Sequence, residues 1–247
     1  VQSIKILAGF AELFAQWGIA KDNIFVIATT ALREAKNRDT FIDRVFIRTG
    51  FRIEIVDGVE ENNLTFIAVL HAIEDLRVKL AKSATLIMEV GGGSTELMLM
   101  NKGKMVAAHV FRLGTLRFEK QAIRHAKSGL PPADFLWDQY RTTITGLRAE
   151  FDLKEIQAVV MVGGDARTAA SHCGEKVGEH YSIIKREDFL HFLDRIGRLS
   201  LEECVRQLNI TYYEAEGLLP ALGVYRLFLL ETSAKTIIVP DVSIREG

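Results

Sequence analysis

Cysteine is scarce in this chain: Cys173 and Cys204, 31 positions apart, are the only two in 247 residues. Two thiols without patterned neighbours exclude a disulfide framework and a Cys/His zinc set, and they fit reduced thiols in a cytoplasmic protein. An excess of either charge is missing too. Lys and Arg number 31 against 32 Asp and Glu, for a formal net charge of -1. That balance removes the basis for wrapping nucleic acid or for a polybasic membrane contact. No apolar run approaches the roughly 20 residues of a membrane helix. The opening VQSIKILAGF has neither an initiator Met nor a basic-then-apolar leader, so further residues are expected ahead of Val1. There is no low-complexity segment and no short-period repeat. His71, His109, His125, His172, His180 and His191 show no metal-ligand spacing, and no Gly-x-Ser-x-Gly motif supports serine hydrolase chemistry.

What is present is a 48% apolar composition, enough for one large domain or two small ones with cores. Helical and strand periods alternate along it. Apolar spacing predicts a helix over 4–17 ending at Gly18, a strand over 24–28, and one helix over 31–48 capped by Thr29 or Thr30 and ended by Gly50. A strand over 53–56 leads through Asp57-Gly58 into a helix over 59–76, with Asp57 and Glu60 at capping-box spacing. Leu86 to Val90, Glu96 to Met100 and Met105 to Val110 read as a three-stranded meander. Helix is expected after Gly114 to about Lys127, and again from the Pro131-Pro132 break to Phe151. A buried strand over 159–162 precedes Gly163-Gly164 and another helix. The tail reads as helices and then a strand over 236–239. This mixture argues for α/β layers, with a boundary near Leu64 dividing the chain into 1–64 and 65–247.

The stretch Gly91-Gly92-Gly93-Ser94-Thr95-Glu96 carries the most chemistry. Three glycines after a strand let backbone N–H groups converge on an anion. A dinucleotide fingerprint would open a helix next, but Glu96 to Met100 alternates as a strand, and the Gly-Lys-Ser/Thr end of a Walker loop is absent. The loop therefore caps a hairpin, as phosphate loops do in the actin, Hsp70 and sugar-kinase architecture. Glu89 interrupts an apolar strand, where a carboxylate needs a partner such as a metal.

Thr30-Ala31-Leu32-Arg33-Glu34-Ala35, Gly58-Val59-Glu60-Glu61, Gly91 to Glu96, Leu113-Gly114 and Arg245-Glu246-Gly247 follow in order. This ordered set resembles the exopolyphosphatase and guanosine pentaphosphate phosphohydrolase (Ppx/GppA) family across the whole chain. The resemblance implies a two-lobed, actin-like (ribonuclease H-like) α/β architecture with an interlobe active-site cleft. It makes 1–64 the remainder of a first lobe whose N-terminal strands are missing, and 65–247 the second lobe. It implies Mg²⁺- or Mn²⁺-dependent removal of the terminal phosphate from polyphosphate or guanosine pentaphosphate, with polyphosphate or guanosine penta- or tetraphosphate as the binding partner. Glu61 matches the catalytic base, Glu96 a second acid at the metal or water, and Glu89 a metal position where the family usually has Asp. Asn62 and Asn63 stand where Ala-Arg commonly follows the base. Gly91, Gly92, Gly93, Ser94 and Thr95 match the phosphate loop, and Arg117 follows Leu113-Gly114 where the family also places an arginine.

The residues themselves leave some questions open. Arg33, expected in a helix first turn, opposes the macrodipole, and either a bound phosphate or a pairing with Glu34 would resolve the conflict. Arg117, Lys120, Arg124 and Lys127 fall on one helix face, as a solvated stripe or a guide for a polyanion. Gly163-Gly164-Asp165 is a structural turn or a second ligand loop. Three readings stand: a metal-dependent phosphohydrolase, a catalytically impaired phosphate- or alarmone-binding module, and a phosphotransferase of the same superfold. A homodimer is the default assembly.

Overall fold

The computed structural model describes residues 2–111, 114–115 and 132–247, with the backbone alone for 132–140. The chain forms two compact units, Val1–Glu61 and Asn62–Gly247.

In the first unit, helices α1 (Gln2–Gln16) and α3 (Arg38–Thr49) accompany two short strands, β1 (Val26–Ala28) and β2 (Ile53–Ile55). The strands pair in parallel, Val26 opposite Ile53 and Ala28 opposite Ile55. Phe14 lies 6.4 Å from the ring of Phe51, and Val45, Phe51 and Val56 are buried. The single helix expected over 31–48 is instead two. One turn, α2 (Thr30–Arg33), precedes α3, and Glu34 leaves it at φ -93° and ψ 0°. Ala35 N–H returns to Leu32 O at 3.1 Å, a tightened i-to-i−3 bond that stops the α ladder. Apolar spacing runs on through such a break, which is why periodicity alone joined the segments.

Helix α4 (Gly58–Ala72) starts as its sequence requires. Asp57 Oδ1 accepts the N–H groups of Val59 and Glu60, each at 2.8 Å, satisfying two donors that the first turn leaves open.

The second unit is built on a seven-stranded sheet: β3 (Ala84–Val90), β4 (Thr95–Asn101), β5 (Lys104–Phe111), β6 (Ile156–Val162), β7 (Glu175–Lys176), β8 (Tyr181–Lys185) and β9 (Thr236–Pro240), in the order β5-β4-β3-β6-β9-β8-β7. The centre, β3-β6-β9, is parallel, and the strands flanking it on both sides are antiparallel. Central β3 is buried on both faces, which explains its nearly unbroken apolar run. Leu86, Met88 and Val90 pack with residues of α6 (Pro132–Glu150), α7 (Gly164–Cys173), α8 (Arg186–Ile196) and α10 (Tyr212–Glu231). Ile87, Met98, Met100 and Val160 pack on the other face with Val69 and Ala72 of α4 and Leu80 of α5 (Arg77–Leu80). Helix α9 (Leu201–Leu208) carries a capping box, Ser200 with Glu203. The tail thus contains β7 and β8 besides helices. Tyr181 to Lys185 is short and runs directly into α8, so its alternation is too brief to stand out. Cys173 is half-buried and Cys204 buried, both as free thiols.

Candidate functional site

Arg33 closes α2 and reaches back across it. Its Nη1 donates to Val56 O at 2.7 Å and to Glu61 Oε2 at 3.4 Å, and Nη2 donates to Thr30 Oγ1 at 2.7 Å. Both charged side chains are largely withdrawn from solvent, 26% exposed for Arg33 and 14% for Glu61. The expected conflict with a helix macrodipole does not arise. The helix is one turn long and Arg33 ends it, where a cation agrees with the dipole. The guanidinium meets Glu61 rather than Glu34, and it holds the carboxylate at the first turn of α4. Burial raises the Glu61 pKa above its ordinary 4.5, outweighing the opposing hydrogen bond and charge of Arg33 and the hydrogen bond from Thr29.

In the second unit, Glu89 of β3 and Glu96 of β4 are direct cross-strand partners. Their strand phase puts both on the face covered by α4, with Ile87 and Met98. Thr65 of α4 donates its hydroxyl to Glu89 Oε2 at 2.9 Å, and Ser94 donates to Glu96 Oε1 at 2.5 Å. Glu96 is 4% exposed. Like charges opposed across a ladder repel, so the carboxylates depend on the groups that surround them, the Thr65 and Ser94 hydroxyls among these. Among the described residues, no three His, Cys, Asp or Glu side chains form a metal-holding group. A cation on this pair would complete its shell with neutral oxygens and water, the usual arrangement for Mg²⁺. Asn62 is 4% exposed, and its Oδ1 is buried without a hydrogen-bond partner.

The glycine loop joins these carboxylates. Gly91 N–H donates to Ser94 O at 2.9 Å, and Thr115 N–H to Gly91 O at 3.1 Å. Gly114 sits so close that a Cβ there would lie 2.5 Å from Gly93 C and 2.6 Å from Gly92 C, so position 114 has room only for hydrogen. Ser94 and Thr95 are both buried, Ser94 turned to Glu96 and Thr95 within β4.

Beneath the loop lies a residue that the sequence reading missed. Tyr225 of α10 is fully buried, accepts Val90 N–H at 3.1 Å and donates to Val162 O at 2.5 Å. It pins together the ends of β3 and β6, from which both glycine turns depart. At the second turn Gly163 has φ 121°, a conformation that glycine alone adopts readily. Burial, and the nearby charges of Glu89, Asp165 and Glu96, push the Tyr225 phenol far up, so it remains protonated. Gly91, Gly92, Gly164, Asp165, Tyr213 and Glu214 help line a cavity of about 470 Å³. Burial, then the charge of Glu214, raises the Asp165 pKa. Arg117, Lys120, Arg124 and Lys127 lie outside the described residues.

The model of the Ppx/GppA phosphatase family matches residues 1–247. Exopolyphosphatase 1 of Mycobacterium leprae is 36% identical over 96 residues, 38% of this chain and 26% of that protein. A guanosine-5'-triphosphate,3'-diphosphate pyrophosphatase of Pseudoalteromonas atlantica is 26% identical over 117 residues, 47% of this chain and 22% of that protein. The crystal structure of an exopolyphosphatase from Cytophaga hutchinsonii superposes with a TM-score of 0.80 at 18% identity, over 99% of this chain and 78% of that one. The α/β fold is shared with it.

Proposed function

The chain belongs to the Ppx/GppA phosphatase family, and we propose that it hydrolyses the terminal phosphoanhydride of polyphosphate or guanosine pentaphosphate, with Glu61 as general base. Phosphoryl transfer asks a protein mainly for position and charge. Glu61 accepts the proton of the attacking water. The observation that carries this is its setting: a largely buried carboxylate, steered by Arg33, with a pKa raised toward the range where a base is effective. The backbone N–H groups of Gly91, Gly92 and Gly93, with Ser94 and Thr95 shaping the loop, receive phosphate oxygens, and Arg33 and Arg117 balance their charge. Glu89 and Glu96 would hold Mg²⁺ or Mn²⁺, which would neutralise the charge of the phosphate chain. Free thiols at Cys173 and Cys204 support a cytoplasmic setting.

The test is phosphate release from long-chain polyphosphate and from guanosine pentaphosphate, with and without Mg²⁺, using the full natural chain beside its Glu61→Gln variant. The variant should lose roughly 10²- to 10⁴-fold in turnover while still binding substrate. Turnover retained in the variant would remove Glu61 from the base role. Binding by the wild-type chain without release would make it a phosphate-binding module.

A further inference from the structure

The segment after β9 carries Arg245-Glu246-Gly247, a motif that the reaction proposed above leaves without a role. The segment is tied down along its length. Asp241 N–H donates to His180 O at 2.7 Å, and the Asp241 carboxylate pairs with Lys176. Arg167 of α7 donates from Nη1 to Val242 O at 3.1 Å, and Val242 packs on the buried cluster that holds Val69 and Ala72 of α4. Ser243 and Glu246 then brace a turn of 3₁₀ helix, Ile244–Glu246. Glu246 Oε2 accepts the Ser243 N–H at 2.7 Å and the Ser243 hydroxyl at 2.8 Å.

Gly247 follows this turn and lies directly against α4. A Cβ there would fall 1.9 Å from Leu64 O, 2.5 Å from Leu64 C and 2.9 Å from Leu64 Cα. The obstacle is backbone, so no change of rotamer clears it, and position 247 has room only for hydrogen. Leu64 stands one turn beyond Glu61 in α4, and its neighbour Thr65 holds Glu89. At its other end the segment reaches the first turn of α7, where Arg167 N–H returns to Gly163 O at 3.1 Å.

We infer that residues 241–247 are a strap that seats α4, with Gly247 a positioning residue for the reaction. Its bare Cα lets the turn from Glu61 to Thr65 stand where Glu61 serves as base and Thr65 steadies Glu89. The inference rests on the phosphohydrolase reading above. Because the strap is fixed at Asp241, Val242 and Ser243, a side chain at 247 is relieved by movement of α4. A displacement on the order of 1 Å at a catalytic group costs about 10²-fold in rate.

The test is Gly247→Ala in the full natural chain. Phosphate release from polyphosphate is measured, and the Glu61 carboxyl is titrated by NMR in the same protein. The expected result is a fall in kcat of roughly tenfold or more with KM unchanged, and a moved Glu61 midpoint. Wild-type kcat with an unmoved midpoint would overturn the strap even if the thermal midpoint dropped, since Gly247 would then only pack. A raised KM with kcat held would overturn it too. Ser243→Ala leaves Gly247 in place but removes the brace, and should give the same split to a smaller degree. That variant decides the matter if Gly247→Ala does not fold, and wild-type values from it would then overturn the strap. A wild-type chain that releases no phosphate removes the hydrolase reading, and the Glu61 midpoint alone then decides for or against the strap.

Discussion

Glu61 concentrates the chemistry at the scale of single residues, and its pKa gives a direct handle. Burial raises it and Arg33 lowers it. A base works when ionised, so activity should climb with pH through the raised pKa, giving an acid limb above 4.5. Arg33→Gln removes the lowering contribution, so that limb should move further up, as a pH profile of kcat/KM would reveal. The same sign applies to stability. The folded state holds this proton more tightly than the unfolded one, so Glu61 stabilises least once pH exceeds the folded pKa. Tyr225 supplies a second prediction. Tyr225→Phe keeps the ring but leaves Val90 N–H and Val162 O unpaired, and should cost about 1–3 kcal/mol by denaturant titration. These residues differed in legibility. The Glu89–Glu96 pairing could be read, because strand alternation on each side of a glycine turn fixes the register. Tyr225 could not, since it acts from 135 positions away through a contact that no local pattern encodes. Arg33 opposes a macrodipole only if it opens a long helix, whereas a single turn places it at the helix end, beside Glu61.

Among the elements, the glycine hairpin depends on a neighbour from beyond the meander. Gly114→Ala would force a Cβ into the backbone of Gly92 and Gly93, and overpacking of this kind costs about 1–3 kcal/mol. A lowered thermal midpoint together with weakened phosphate binding is the expected result; a variant with the wild-type midpoint would show that the hairpin can yield. The meander itself was plain in the sequence, as were the caps at Asp57 and Gly50, because turns and helix ends use particular residues for local reasons. The break after α2 and the strand β8 were hidden. One is a change in hydrogen-bond spacing that leaves apolar periodicity intact. The other is short and owes its place to pairing with β9, a partner about fifty positions later.

For the whole molecule, the two units differ in how much core they own. The second carries both large buried clusters, while the first buries few apolar side chains, Val45, Phe51 and Val56 among them. Amide exchange should therefore be slowest in β3, β6 and β9 and markedly faster in α1 and α3. Equal protection in both units would contradict this. The division into α/β segments was legible from alternating periods; the unequal burial was not, since it depends on packing in three dimensions. One further consequence follows from the two thiols. Burial pushes Cys173 up to about 11 and raises Cys204 as well. Near neutral pH the reactive thiolate of Cys173 is then on the order of one part in ten thousand. A cysteine engineered into an exposed position would meet a maleimide or a spin label almost alone, so the wild-type chain can be labelled at one chosen point without first removing its own sulfur.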